Sequence, residues 1–370
     1  MHDKKSMIFI VYMRKKYYLC KNFQNMKHRL QFFAFLTLTV MLFATSCQKN
    51  ETLSGPLPKV HIIATGGTIA GASTDIGYDA GKVSIETILQ AVPELKQYAE
   101  LDYEQFCNIG SQDMNDSIWL SLAKRVNQVL ESGKYDAILI THGTDVMEET
   151  AFFLNLTIHD PKPVILVGAM RPADAEDADG PYNLLTAVKA IVRPEAVGRE
   201  VMCCLGGKIY EAGAAFKNDT HSIDALSATS VDWYLPHNAN TGFYTDNLEE
   251  LPEVGIVYCY GSNSTVALEA FINAGYKGIV LAGVGDGNLN QETLDLAAQA
   301  AKNGVMIVRS SRIPFGGVYT EGGEVDDEKL GFIASGSLSP QKSRILLMLA
   351  LTVTQDIDTI RSYFQNGVYR

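Results

Sequence analysis

Apolar and polar positions alternate along this chain in blocks of two lengths. Short apolar runs recur at "VHIIA" (60–64), "YDAILIT" (135–141), "PVILVGA" (163–169) and "EVMCCLGG" (200–207), each bounded by glycine, proline or charge. Runs of this kind predict buried strands. Longer stretches between them carry helical spacing. In "DSIWLSLAKRVNQVLES" the residues Ile118, Leu122, Val126 and Val129–Leu130 form one apolar stripe, and "DVMEETAFFLNLTI" is predicted helical as well. "VSIETILQAVPELKQYA" is helical with a break near Pro93, and "DGPYNLLTAVKAIV" opens at Asp179 with Pro181 as its first helical residue. Strand and helix in alternation predict an α/β fold, a mostly parallel sheet with helices on both faces.

The pattern lapses in "HNANTGFYTDNLEELPE", where polar and turn residues dominate. A linker is predicted at 241–252. Beyond it comes a second, smaller α/β series: "VGIVYCY", "STVALEAFINAG", "GIVLAGVG", "ETLDLAAQAAKNG" and "VMIVRSS". The chain closes on "SPQKSRILLMLALTVT", with Ser339 as N-cap and Pro340 as first helical residue. The organisation predicted is a larger N-terminal domain over 57–240 and a smaller C-terminal α/β domain over 253–370.

Residues 1–46 stand apart from both. Lys27–Arg29, the apolar run Leu30–Phe43 and small residues before Cys47 form a secretory signal, with Met26 as the fitting start. Cys47 is then a candidate lipid-bearing residue, 47–56 a polar tether, and the periplasm the expected location. The leader also changes the charge balance. The chain has a net charge of −11, but residues 1–46 hold eight Lys/Arg against one Asp, so the remainder carries −18. An acidic surface of that kind argues against nucleic acid as a partner. Cys107, Cys203, Cys204 and Cys259 show no CxxC or Cys/His spacing, so no metal is expected. Cys203 and Cys204, adjacent in a strand, should face opposite sides as buried thiols.

In open parallel sheets ligands gather beyond the carboxyl ends of strands. Three loops lie there: "TGGT" after the first strand, "THGTD" after "YDAILI" and "GAMRP" after "PVILV". "TGGTIAG" has neither the G-x-G-x-x-G spacing of a dinucleotide loop nor the lysine of a P-loop. Its glycines also suit a tight strand-to-helix turn. "THGTD" supplies a hydroxyl, backbone N–H groups and a carboxylate, and Thr144 or Asp145 is expected to cap the following helix, with Glu148 and Glu149 in its first turn. Two threonines on one sheet edge suggest acyl chemistry, provided that a base withdraws a proton. His142 reads more readily as a structural histidine than as that base. Lys217, Asp145, Tyr78 and Glu324 remain candidates that the residues alone do not rank. A solute-binding lipoprotein with two α/β domains would share this composition and leader, although binding does not call for paired threonine loops.

Seven segments taken in order, "ATGGTIAG", "NIGSQDMND", "THGTDVMEETAFFL", "KPVILVGAMRP", "DADGPYNLLTAV", "GIVLAGVGDGN" and "SLSPQKSRILLMLALT", resemble the secreted (type II) bacterial L-asparaginases and glutaminase-asparaginases over about residues 57–370. The resemblance implies hydrolysis of free L-asparagine to L-aspartate and ammonia, with some action on L-glutamine and no cofactor. By position it implies Thr68 as nucleophile, Tyr78 as its activator, and Thr144, Asp145 and Lys217 as a second catalytic group. It implies Ser111 and Gln112, with Thr144 and Asp145, as holders of the substrate's charged ends. It further implies a homotetramer, a dimer of dimers, in which Glu324 reaches a neighbouring subunit's site. Where some members carry an asparagine near the substrate amine, this chain has Ser262, with Asn263 beside it. The surroundings of Lys217, "LGGKIYEAGAAFKND", also differ from those of many members.

Overall fold

The computed structural model describes residues 55–74, 77–227, 242–321 and 323–365. The leader at 1–46, Cys47 with nearly all of the 47–56 tether, and the first residue of the predicted linker lie outside the described residues.

The first half runs β1 (Lys59–Gly66), β2 (Ala72–Thr74), β3 (Gly77–Asp79), α1 (Ile85–Gln90), β4 (Glu100–Ile109), α2 (Asp116–Glu131), β5 (Ala137–Thr141) and α3 (Met147–Thr157). It continues through β6 (Val164–Val167), α4 (Gly180–Ile191), β7 (Met202–Leu205), β8 (Lys208–Glu211), β9 (Phe216–Lys217) and β10 (Leu226–Ser227). The second half holds β11 (Val254–Tyr258), α5 (Val266–Asn273), β12 (Gly278–Gly283), α6 (Gln291–Lys302) and β13 (Met306–Ser311). It ends with α7 (Asp327–Leu330), β14 (Phe332–Ala334), α8 (Pro340–Leu351) and α9 (Ile357–Gln365).

The larger sheet has the order β4-β1-β5-β6-β7-β8, parallel except where β8 turns back antiparallel to β7. The smaller sheet, β11-β12-β13-β14, is wholly parallel. The predicted class holds: a larger, mostly parallel α/β half and a smaller α/β half.

Strand alternation sorts the apolar side chains onto two faces. Ile63, Ile138, Ile140, Leu166 and Cys203 join one core with residues of α2, α3 and α8. Val60, Ile62, Leu139, Ile165, Val167 and Cys204 join the other, under α1 and α4. The two neighbouring cysteines therefore do face opposite ways, both fully buried and both free thiols. α8 belongs to the smaller half by sequence, yet its Ile345–Ala350 run is buried in the same core as α3 and the larger sheet. One refinement concerns α4, which begins at Gly180 and so makes Pro181 its second residue.

Candidate active site

β1 lies between β4 and β5, so the loops that leave these three strands meet at one sheet edge. Their contact is close. Gly67 has φ +79°, and a Cβ placed on it would lie 2.2 Å from the backbone nitrogen of Gly143. Only glycine lets the TGGT turn touch the THGT turn, which brings Thr68 and Thr144, each one residue past the contact, onto adjoining backbones. Behind them Thr65 Oγ1 donates to the carbonyl of Thr141 at 2.7 Å, tying the two strand ends together. Thr68 opens a single 3₁₀ turn, Thr68–Ala70, and both threonines are buried.

The loop after β4 closes the third side. Ser111 is buried, and its Oγ accepts the backbone N–H of Asp145 at 3.1 Å. Gln112 beside it is exposed, and its amide folds back over Gly110.

The helix-capping expectation for Thr144 and Asp145 is not met. α3 starts at Met147 behind Val146, with no side-chain cap. Both side chains turn instead to Lys217. Its Nζ donates to Thr144 Oγ1 at 3.0 Å and to Asp145 Oδ1 at 2.6 Å. Thr144 Oγ1 in turn donates to Met170 Sδ at 3.4 Å. A thioether is a weak acceptor, so this hydroxyl proton is lightly held. Lys217 is largely shielded (15% exposed) while Asp145 is open (54%), which leaves the carboxylate facing solvent beside a sheltered cation.

Met170 sits on the third loop, GAMRP, which Asp179 holds rigid. Asp179 does not cap α4 with its side chain; its carboxylate accepts the N–H groups of Met170 and Arg171 and the amide of Asn183. His142 is structural. It is fully buried, its Nδ1 lies 2.6 Å from the Gly143 carbonyl, and burial pushes its pKa down to about 4. A neutral ring held in place steadies the loop.

Tyr78 lies on β3, opposite Ser73 of β2. That hairpin is fastened to the loop after β6, because Ser73 donates through its N–H and hydroxyl to Asp174, and Gly71 accepts from Ala173. Gly81, just past the hairpin, returns an N–H to the Gly67 carbonyl at 3.2 Å. Two predicted residues stand elsewhere in the chain. Ser262 is exposed after β11 with φ +64°, and the adjacent Asn263 is buried with its amide on Thr293 Oγ1. Glu324 is exposed ahead of α7. Both belong to the smaller half, and neither shares a hydrogen bond with the Thr144–Lys217 cluster.

Sequence reasoning misses Met170 and Glu148. In sequence Glu148 reads as a first-turn charge complementing the helix; in the fold its half-buried carboxyl receives a backbone hydrogen bond from Lys217, and burial raises its pKa. The loop position of Met170 is legible, whereas its sulfur contact is not.

Two hydroxyls, a shielded ammonium and an open carboxylate, gathered at strand ends without a nucleotide loop, define a hydrolase-type α/β site. The comparisons agree with that class. Residues 59–242 match the family model "Asparaginase, N-terminal", and residues 253–364 match "Glutaminase/Asparaginase C-terminal domain". The chain is 46% identical over 328 residues to the "Probable L-asparaginase periplasmic" of Haemophilus influenzae, covering 84% of this chain and 93% of that one. It is 45% identical over 326 residues to "L-asparaginase 2" of Escherichia coli K12, covering 83% and 93%. Against the "Glutaminase-asparaginase" of Pseudomonas fluorescens biotype A it is 37% identical over 344 residues, covering 88% and 95%. A solved structure of the "Probable Cytoplasmic L-asparaginase from Campylobacter jejuni" superposes with a TM-score of 0.76 at 41% identity, covering 83% of this chain and 99% of that one. The chain belongs to the asparaginase family and is an enzyme of the amidohydrolase class, which sets the solute-binding alternative aside.

Proposed function

We propose that the chain hydrolyses free L-asparagine to L-aspartate and ammonia, with a weaker action on L-glutamine. The observation that carries the reading is the Lys217 ammonium, within hydrogen-bond reach of both Thr144 Oγ1 (3.0 Å) and Asp145 Oδ1 (2.6 Å), beside the loop that bears Thr68. Thr68 Oγ attacks the carboxamide carbon, giving up its proton with the help of Tyr78. Thr144, coupled to Lys217, passes a proton to the leaving nitrogen, and the C–N bond breaks to release ammonia. Water then cleaves the β-acyl ester on Thr68. Asp145 and Glu324 of a neighbouring copy hold the substrate ammonium, while Ser111 and Gln112 hold its carboxylate. Glutamine is longer by one methylene, which a pocket discriminates by only about 1–3 kcal/mol; Ser262 bears on that preference.

The names of relatives include both a periplasmic and a cytoplasmic enzyme. For this chain we propose export on the 26–46 signal and a lipid on Cys47, which a Cys47→Ala variant would release from membranes. We place the domain limits at 57–240 and 253–370, joined by 241–252; the two family-model matches support that division. A homotetramer, a dimer of dimers, completes the reading. Tyr258, Ile313 and Phe315 line the mouth of one cavity while 47%, 47% and 71% exposed, apolar surface of the kind that partners cover.

The test is ammonia release by the mature chain, with kcat/KM compared for the two amides. A higher value for asparagine supports the assignment, and no turnover of either amide overturns it.

A further inference from the structure

Lys342, in the first turn of α8, is 3% exposed and has no place in the chemistry above. A buried ammonium is costly unless its protons are satisfied. Those of Lys342 go to a single stretch of backbone: Nζ donates to the carbonyl of Gly213 at 2.9 Å and to that of Ala215 at 2.6 Å. The same stretch is held by a second buried group. The Glu200 carboxylate, 5% exposed, accepts the N–H of Gly213 at 2.9 Å. Two residues past Ala215 comes Lys217.

β9, which carries Lys217, has two residues and, among the described residues, pairs with two more on β10. A ladder that short fixes little by itself. Lys342 comes from a helix 127 residues further along the chain than Ala215, and a cavity of about 570 Å³ is lined by Glu148, Glu200, Lys217 and Lys342 among others. Glu148, Glu149, Glu200 and Cys203 face the ammonium, and the Phe152 ring lies 5.6 Å from it. Burial pushes its pKa down to about 8, against the opposing pull of these acidic groups, which favour the charged form. Charged donors make the stronger hydrogen bonds.

We infer that Lys342 is a positioning residue for Lys217: with Glu200 it clamps the 213–215 backbone and so sets how far the Lys217 ammonium reaches toward Thr144 and Asp145. Lys342 touches no reacting atom; it acts only through the backbone that presents Lys217. The inference rests on the reading of Lys217 as part of the amide-cleaving group.

The test is a double-mutant cycle on the full mature enzyme with L-asparagine. Lys342→Met is expected to lower kcat by about tenfold or more, with KM changed less than about threefold. In a Lys217→Met background the same change should cost less than about twofold, because the group it positions is already gone. An equal loss of kcat in both backgrounds, or an unchanged kcat in Lys342→Met, overturns the inference. A crystal structure of Lys342→Met supplies a readout that does not need turnover. Lys217 Nζ should leave hydrogen-bond distance of Thr144 Oγ1, and an unmoved Lys217 contradicts the clamp even if asparagine proves not to be the substrate. Should Lys342→Met fail to fold, Lys342→Gln, which keeps an uncharged N–H donor group on a shorter arm, takes its place in both measurements. A selective loss of kcat with a displaced Lys217 again supports the clamp, and an unchanged kcat or an unmoved Lys217 again overturns it.

Discussion

A single methyl group on Gly67 would separate the two threonine loops. The added carbon would lie 2.2 Å from the Gly143 nitrogen on a backbone at φ +79°, so Gly67→Ala must push the loops apart. Asparagine turnover should fall steeply, and thermal unfolding should show a loss of about 1–3 kcal/mol. Thr144→Ala removes the hydroxyl alone and should abolish turnover with an unchanged melting temperature; a normal rate would remove Thr144 from the mechanism. At this scale the sequence is legible where a motif pins a residue to a strand end. Thr68, Ser111, Thr144, Asp145 and Lys217 all follow from order and resemblance. Met170, Glu148 and Lys342 do not, because each joins its neighbours only through contacts made across the fold, which leave no local spacing to read. Thr144 and Asp145 also look like caps for α3, since capping and catalysis draw on the same residue types; in the fold both side chains go to Lys217.

Strands and helices are the easier part. Apolar runs mark β1, β5, β6 and β7, and the stripe on α2 marks that helix, because burial on a regular lattice repeats in sequence. β9 and β10 escape notice, since two residues cannot show a period. The N-terminus of α3 carries its own prediction. Glu149 lies beside Glu148, and burial with that neighbour raises its pKa from 4.5 to about 7. Below pH 4.5 the carboxyl is neutral in folded and unfolded chains alike. Between pH 4.5 and 7 the folded protein keeps a proton that the unfolded chain has lost, so stability falls as pH rises through that window. Glu149→Gln should flatten this slope and raise stability at pH 8 by roughly 1–3 kcal/mol, as measured by urea unfolding at pH 5 and pH 8. An unchanged slope would mean that Glu149 titrates normally.

In the whole molecule, two halves separated in sequence share one core. α8 brings Ile345–Ala350 against α3, so a helix of the smaller half helps to hold the larger half together. The smaller half has its own internal lock. Arg309 and Asp327, 0% and 1% exposed, pair through two hydrogen bonds of 2.7 and 2.6 Å, and the guanidinium also holds the carbonyls of Asp286 and Tyr319. Tyr319 and Asp327 flank Glu324, so the pair fixes the segment proposed to reach a neighbouring site. Asp327→Ala would leave a buried guanidinium without its counter-charge and should cost about 3–5 kcal/mol in chemical denaturation. For the assembly, mixing inactive Thr68→Ala and Glu324→Ala subunits should restore part of the activity, since some sites would then draw both intact residues from different chains. A fully active monomer by light scattering would remove the shared site.

The expectations about turnover descend from the proposal that Thr68 attacks the amide. The most direct test is the steady-state rate of ammonia release from L-asparagine by the mature chain and by its Thr68→Ala variant, with both confirmed folded by circular dichroism. A threonine nucleophile predicts turnover by the unaltered enzyme and a fall of at least about 10³-fold in the variant. A Thr68→Ala enzyme working within about tenfold of the original rate would contradict it.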